Sequence, residues 1–550
     1  MKTLLTRILS MSFTTMRNRS RGLILTVASA TLLSLPLASV GTAHAQPGPA
    51  TIPLTITNTT GSTEPVYVYV LATDNTDTDG DNLGYIDASG TFRPWPKVTS
   101  RTPVPAPDVS IPGPTNGEEL SLKVPTNVSG RIYYSVGEKL TFSLVGTDIG
   151  TTGLVQPAPW APSDPTSETL FDWTEFTLNG QEQQYTGLWI NSTQVDQLAI
   201  PTEVEVTGTD GKTSSAGKMR PGGRQAVIDT LLSDPKWADT VVTDEEGQVI
   251  RVLSPGHATT AGLLDPDYLA AYIDTAWAAY ESRPLTIVPF SDQPEKKFFG
   301  RTSGTVMTFT DVAGKQVAAF ERPKSVDVWG CDGALNGIGN VTLPNDLTTG
   351  PISRTLCAAL NRGTLGTMDT EPVTNTASYY QNIEGLNLYG KTVHGSMVDG
   401  RAYAFAFDDV GGHDSLVYNP RPAGVRLTLQ PLVEESSPTD PGTDPDPTDP
   451  AAGTQVIQVK FTEGHPGYAT LTLGEGTGPG IVTMKVDGGG TSTAAVTRAG
   501  QVRVDLSGPV GTRNVTISST GTLGRAKITM PTSPTTTDPT PGPGDGGTLR

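Results

Sequence analysis

Residues 434–454 read EESSPTDPGTDPDPTDPAAGT, and no other stretch limits the fold of this chain as strongly. Proline stiffens the segment, aspartate repels along it, and nothing in it can build a core. It divides the 550 residues into a long N-terminal part and a short C-terminal one. The length already exceeds what one ordinary core holds, so two or more folded units are expected. Residues 531–550 repeat the Thr/Pro composition and read as a disordered tail.

Residues 455–530, between linker and tail, carry short alternating runs such as Val456-Ile-Gln-Val-Lys-Phe, Val482-Thr-Met-Lys-Val and Val502-Arg-Val-Asp-Leu. Glycine-rich turns separate them, the pattern of a small antiparallel β-sandwich. Phe461 and Tyr468 are its only aromatic residues. Sugar platforms need flat aromatic surface, so this accessory module reads as a spacer more than as a binder.

Residues 1–45 form a different kind of segment. Lys2, Arg7, Arg17, Arg19 and Arg21 make a basic start without an acid, Leu23 to Val40 is apolar but broken by Pro36, and Ala43-His44-Ala45 offers a cleavage site. This is the pattern of a secretory signal peptide, and a secreted, extracellular protein is expected. Its removal takes away five positive charges and shifts the formal net charge from −18 to −23. Nucleic acid and anionic lipid both need basic patches, so neither is an expected partner; a neutral polymer fits better. In an exported chain the two cysteines, Cys331 and Cys357, are expected to form a disulfide. Neither Cys-x-x-Cys nor clustered histidine is present, so no metal and no cofactor is expected.

Residues 46–433 hold one long region of mixed pattern. Pro53-Leu-Thr-Ile-Thr-Asn alternates as a strand does, and Val66-Tyr-Val-Tyr-Val-Leu suits a strand buried on both faces. Asp74 to Asp87 reads as an acidic hairpin loop, since Ile86 stands where a calcium loop starting at Asn75 needs glutamate. Proline-rich Arg93 to Pro114 must be extended or irregular. Helical spacing appears in Arg224 to Ser233, with Val227, Ile228, Leu231 and Leu232 on one face. It recurs after Asp265-Pro266, which reads as an N-cap and first-turn proline, with Tyr268, Leu269, Tyr272, Ile273, Ala276, Trp277 and Tyr280 in one stripe. Strands resume in Thr305 to Phe320, Arg401 to Phe407 and Val425 to Leu429. The order predicts a mainly β domain interrupted by a smaller helix-bearing lobe, with a ligand groove between them.

Two segments carry candidate chemistry. In Phe171-Asp-Trp-Thr-Glu-Phe-Thr-Leu-Asn, strand alternation puts Trp173, Glu175, Thr177 and Asn179 on one face, with Phe176 and Leu178 on the other. In the return segment Trp189, Asn191 and Thr193 share a face, whereas Asp196 has the opposite parity. Either the chain bends after Thr193 or Asp196 points elsewhere. A hairpin turning near Tyr185-Thr-Gly187 would set Asp196 almost opposite Glu175; a turn nearer Gly180 would separate them unless the chain bends. Two carboxylates among hydroxyl and aromatic side chains suit hydrolysis of a glycosidic bond, with roughly 6.5–9.5 Å between them for an inverting pair and about 5–5.5 Å for a retaining one.

Asp172-Trp-Thr-Glu-Phe-Thr, Leu188-Trp-Ile-Asn-Ser-Thr-Gln-Val-Asp196 and Tyr403 to Gly412 together resemble glycoside hydrolase family 64, the laminaripentaose-producing β-1,3-glucanases. The resemblance covers most of residues 50–432. It implies a thaumatin-like fold, a β-barrel or sandwich beside a mixed α/β lobe with a wide groove, and a monomer acting on β-1,3-glucan. It also implies that Glu175 is the general acid and Asp196 the base that activates water, and that Thr177, Asn179, Trp189 and Thr193 contact sugar. An acid kept protonated needs an apolar or anionic neighbourhood, which Trp173 and Phe176, or Asp196 and Asp172, are expected to supply. Trp189 is expected to stack on a pyranose ring. Asp408 and Asp409 are expected to shape the groove or cap a turn. His257, His394 and His413 lie near no serine elbow, so a hydrolytic triad has little support. The rival is a non-catalytic glucan-binding protein on the same scaffold, which fold alone does not separate from an enzyme.

Overall fold

The computed structural model describes residues 51–77, 82–183, 185–244, 247–339, 348–381, 385–432, 455–461, 468–473, 480–487, 489–496, 500–506, 509–519 and 526–529. The expected leader (1–45), linker (434–454) and tail (531–550) lie outside these residues. The chain divides into two compact units, Met1–Ser436 and Ser437–Arg550.

The larger unit is built on two facing sheets. One runs in the order Thr213–Ala216, Thr202–Gly208, Pro422–Leu429, Thr51–Asn58, Glu119–Pro125. The other has eight strands; Leu416–Asn419, Gly187–Ser192, Leu170–Asn179, Val128–Val136 and Val66–Asp74 are neighbours in that order. Both sheets are open, so the arrangement is a sandwich rather than a closed barrel. Alternation explains how they meet. Ile52, Leu54 and Ile56 from one sheet and Phe176, Leu178, Leu188 and Ile190 from the other fill a single buried core. Val66–Asp74 is buried on both faces, as its continuous apolar run predicts. Val68 and Val70 enter the sandwich core, while Tyr69 and Leu71 enter a second cluster with Tyr133, Phe171 and Trp173 on the outer face of the eight-stranded sheet.

The chain leaves the sandwich after Ala216 and rejoins it at Leu416. The lobe between holds helices Gly223–Ser233, Pro255–Ala261, Ala270–Ser282, Ser325–Gly330, Thr349–Asn361 and Leu388–Ser396, and a sheet of five strands. Its buried cluster is the larger of the two, so the expectation of a minor lobe is corrected. Tyr272, Ile273, Ala276, Trp277 and Tyr280 form the buried stripe, but that helix begins at Ala270, after Tyr268 and Leu269. Asp265 caps only a turn, accepting from the Asp267 amide. Leu232 is exposed, unlike Val227, Ile228 and Leu231. Cys331 and Cys357 are disulfide-bonded inside the lobe core.

Arg401 to Phe407, expected as a strand, is irregular. The amide of Ala404 donates to the Asp408 carboxylate, so a side chain takes the place of a ladder partner. The smaller unit, described by itself, is an antiparallel sandwich of a four-stranded and a three-stranded sheet. Phe461 lies in its core and offers no platform.

Candidate active site

Glu175 lies at the centre of Leu170–Asn179, between two antiparallel neighbours, with Asn191 across on one side and Arg131 on the other. The hairpin pairs Asn179 with Gly187, so its turn falls earlier than the register that would oppose the two acids. Asp196 nevertheless returns to the site because the chain bends beyond Ser192. Its carbonyl accepts from the Ser254 amide, and Gln197–Leu198 pairs with Val249–Leu253 of the lobe. Asp172, on the sandwich side of the Glu175 strand, pins the far end of the bend by accepting from the Ala199 and Ile200 amides. Burial pushes the Asp172 carboxyl up to about 7 despite those donors. It is therefore a structural group, not a neighbour that tunes Glu175.

Arg131 joins the two acids. Its Nε and Nη2 approach Glu175 Oε1 at 3.1 and 2.9 Å, and Nη2 stands 3.9 Å from Asp196 Oδ2. The shared nitrogen caps the separation of those two oxygens at about 7 Å, so the two acids meet within the range that glycosidic cleavage uses. The side chains of Arg131, Glu175 and Asp196 are 11, 18 and 24% exposed, so the group faces solvent without being free in it. Arg131 is held cationic: burial opposes its charge, but Tyr133, Glu175 and Asp196 outweigh the penalty. Its guanidinium also lies over the Trp173 ring at 4.8 Å. The expected apolar or anionic surroundings of Glu175 are thus replaced by a cation, while Phe176 points into the sandwich core.

Asp196 has a second partner. His257 Nε2 lies 2.7 Å from Oδ1, and its ring stacks on Trp160 with centroids 3.4 Å apart and planes at 10°. Burial raises the Asp196 carboxyl, but His257 and then Arg131 outweigh it and hold the group below its ordinary range.

Thr177, Asn179 and Trp189 lie on the Glu175 face, because Thr177 pairs with Trp189 in the hairpin. All three are buried. Asn179 donates to the Tyr185 carbonyl and accepts from Asn75, which spends much of its hydrogen-bonding capacity. Thr193 Oγ1 accepts from the Val195 amide in the bend. The expectation for Trp189 needs correction: its ring is 3% exposed and covered by Tyr418 at 4.7 Å, whereas Tyr418 is 37% exposed. The accessible aromatic surface here is therefore Tyr418. Trp189 Nε1 and Asn191 Oδ1 are buried without a hydrogen-bond partner among the described residues.

Arg131, Trp160 and Tyr418 go unnoticed in the sequence, where His257 figures only as a poorly supported triad histidine. A charged residue inside the strand-like run Gly130-Arg-Ile-Tyr-Tyr was the one available signal. Asp408 and Asp409 do not join this group. Asp408 is fully buried in the lobe between Arg362 and His394, and Asp409 pairs with Arg354 at 2.5 Å. Among the described residues no three His, Cys, Asp or Glu side chains are placed to hold a metal ion.

A sandwich with an inserted lobe, and a carboxyl pair linked by one arginine, is the frame of a carbohydrate-cleaving enzyme. The β-1,3-glucanase profile of glycoside hydrolase family 64 matches residues 50–429, and the chain belongs to that family. Glucan endo-1,3-β-glucosidases from Arthrobacter sp. (strain YCWD3) and Cellulosimicrobium cellulans are each 41% identical over 386 residues, 69% of this chain and 67% of theirs. A laminaripentaose-producing β-1,3-glucanase, solved in complex with laminaritetraose, is 43% identical with a TM-score of 0.63, over 70% of this chain and 99% of that one. A family 64 domain from Clostridium beijerinckii is 21% identical with a TM-score of 0.55, over 70% of this chain and all of that one, and bears on the fold alone.

Proposed function

We propose that this chain is a secreted endo-acting β-1,3-glucanase that cuts by single displacement and inverts the anomeric centre. The observation that carries the reading is the pair Glu175 and Asp196 meeting at one Arg131 nitrogen. The scaffold is read as thaumatin-like, with the face of the strand that carries the partly accessible Glu175 as the floor of a groove. Laminaripentaose is the proposed main product, by likeness to the relative so described. Export is supported by the basic, apolar and Ala43-His44-Ala45 pattern of the first 45 residues.

Both Arg131 contacts fall on Glu175 Oε1, so the proton to be delivered belongs on Oε2. Oε2–H donates to the glycosidic oxygen as the C–O bond breaks. The carboxylate left behind is stabilised by Arg131, which is already in place and needs no reorganisation. Asp196, held ionised, takes a proton from the water that attacks the anomeric carbon on the opposite side. Tyr418 is placed to stack on a pyranose. Trp189 Nε1 and Asn191 Oδ1 are buried polar atoms suited to ordered water. Thr177, Asn179 and Thr193 complete the same face.

Curdlan or laminarin digestion tests this. Wild type should release reducing oligosaccharide with inverted configuration, and Glu175→Gln should lower kcat by about 10²- to 10⁴-fold while insoluble glucan is still bound. Glucan binding by a wild type that releases no sugar would replace the enzyme reading with that of a lectin.

A further inference from the structure

Asp196 is held by a single short segment at two levels. The Ser254 amide takes its backbone carbonyl, and His257, in the helix that Ser254 caps, takes its side-chain Oδ1. Trp160 comes from the loop before the Glu175 strand and lies flat against the imidazole. Trp160 itself packs on the lobe core. The ring therefore has its plane set by stacking and its edge set by a carboxylate.

We propose that His257, clamped against Trp160, is a positioning residue that fixes the Asp196 rotamer and reserves Oδ2 for the attacking water. The proposal rests on the reading of Asp196 as the base.

A carboxylate on a bend rotates freely unless one oxygen is tied, and a base whose lone pair wanders loses the geometry on which the effective concentration of the reacting groups depends. The Nε2–H···Oδ1 bond at 2.7 Å is short and charge-assisted, and it ties that oxygen. Among the described residues Oδ2 has only the Arg131 nitrogen at 3.9 Å, too long for a hydrogen bond. One oxygen is therefore occupied and the other remains open towards Glu175. The bond also settles the tautomer: with the carboxylate accepting, Nε2 carries the proton. Among the described residues, the charged and titratable groups around Asp196 are His257 and Tyr389 on the lobe side and Arg131, Glu175 and Tyr133 on the sandwich side.

The test uses the full chain and three variants. His257→Phe keeps a flat ring over Trp160 but loses the donor. His257→Gln places an amide N–H near the position of Nε2. In His257→Phe, kcat should fall about 10- to 100-fold with little change in KM, the cost of a hydrogen bond to a charged group. The acid limb of its kcat/KM profile should move up by about one pH unit, because the carboxylate has lost a donor. His257→Gln should recover most of both. An unmoved acid limb, or equal losses in the two variants, would reduce His257 to packing. Asp196→Asn in the same assay separates the layers: activity that survives there overturns the base assignment itself. If His257→Phe does not fold, ¹⁵N spectra of the wild type decide the matter. A protonated Nε2 that shifts on glucan binding supports the clamp, and an unprotonated Nε2 overturns it.

Discussion

Two clusters in this chain use the same three residue types. Asp196 stands with Arg131 and His257, and Asp408 stands with Arg362 and His394; in both, a histidine Nε2 lies 2.7 Å from an aspartate oxygen. The difference lies in what remains unsatisfied. Asp408 is fully buried, with Oδ1 bound by Arg362 at 2.9 Å and Oδ2 by His394 and the Ala404 amide. His394 Nδ1 lies 2.9 Å from the Gly400 carbonyl. Arg362 further donates to the Asp408 and Val410 carbonyls. Both Asp408 oxygens are spent on holding the irregular 401–412 segment to the lobe. Around Asp196, whose side chain is 24% exposed, Oδ2 has no hydrogen bond among the described residues. A carboxylate with both oxygens taken is a lock; one with an oxygen open at a surface is available for reaction.

The largest effects should come from breaking one member of each cluster. Asp196→Asn should cut kcat by about 10²- to 10⁴-fold and leave the melting temperature nearly unchanged. Asp408→Asn removes the carboxylate that compensates the buried Arg362 guanidinium and should destabilise the fold by about 3–5 kcal/mol. Activity per folded molecule should stay close to wild type. Denaturant titration and initial rates measured on the same preparations check both; the comparison breaks if Asp408→Asn is fully folded and inactive. The disulfide sharpens it from inside the lobe. Cys357 accepts from Asn361, which also reaches Asn387 at the start of the last lobe helix. Replacing Cys331 and Cys357 by serine should cost about 3 kcal/mol, by releasing a closed loop in the unfolded chain, and should leave the sandwich and Glu175 in place. Melting curves with and without reductant read that loss.

What could be read in advance follows from the range of the physics. Alternation fixed the facing of Glu175, Thr177 and Asn179, and apolar spacing found the stripe from Tyr272 to Tyr280, because both are local periodicities. Arg131 meets Glu175 through pairing between strands 44 residues apart, and nothing local states that register. His257 is 61 residues from Asp196, on a helix whose place depends on the whole lobe. The parity of Asp196 flagged a bend but not its direction, which the amides of Ser254, Ala199 and Ile200 decide. The strand expected at 401–407 failed because a side chain, Asp408, captured a backbone donor. Local alternation cannot register such a competitor.

The smallest predicted effect concerns two titrations of opposite sign. His413 stacks on His394 at 4.3 Å, and burial, followed by the neighbouring His394, lowers it to about 4. Between about pH 4 and its ordinary value near 6.5, the unfolded chain binds a proton that the folded one refuses, so this group makes stability rise with pH. Asp172 does the reverse. Raised to about 7 by burial, it keeps a proton in the folded chain that the unfolded one has lost above about pH 4, so stability falls as pH rises through that window. The two slopes nearly cancel over pH 4–6.5. His413→Phe keeps a ring against His394 and should expose the falling limb; Asp172→Asn should expose the rising one. Each difference from wild type should be at most about 1.4 kcal/mol per pH unit. Urea midpoints taken at half-unit steps resolve this, and difference curves of the same sign for both variants would show that one of the two burials has been misassigned.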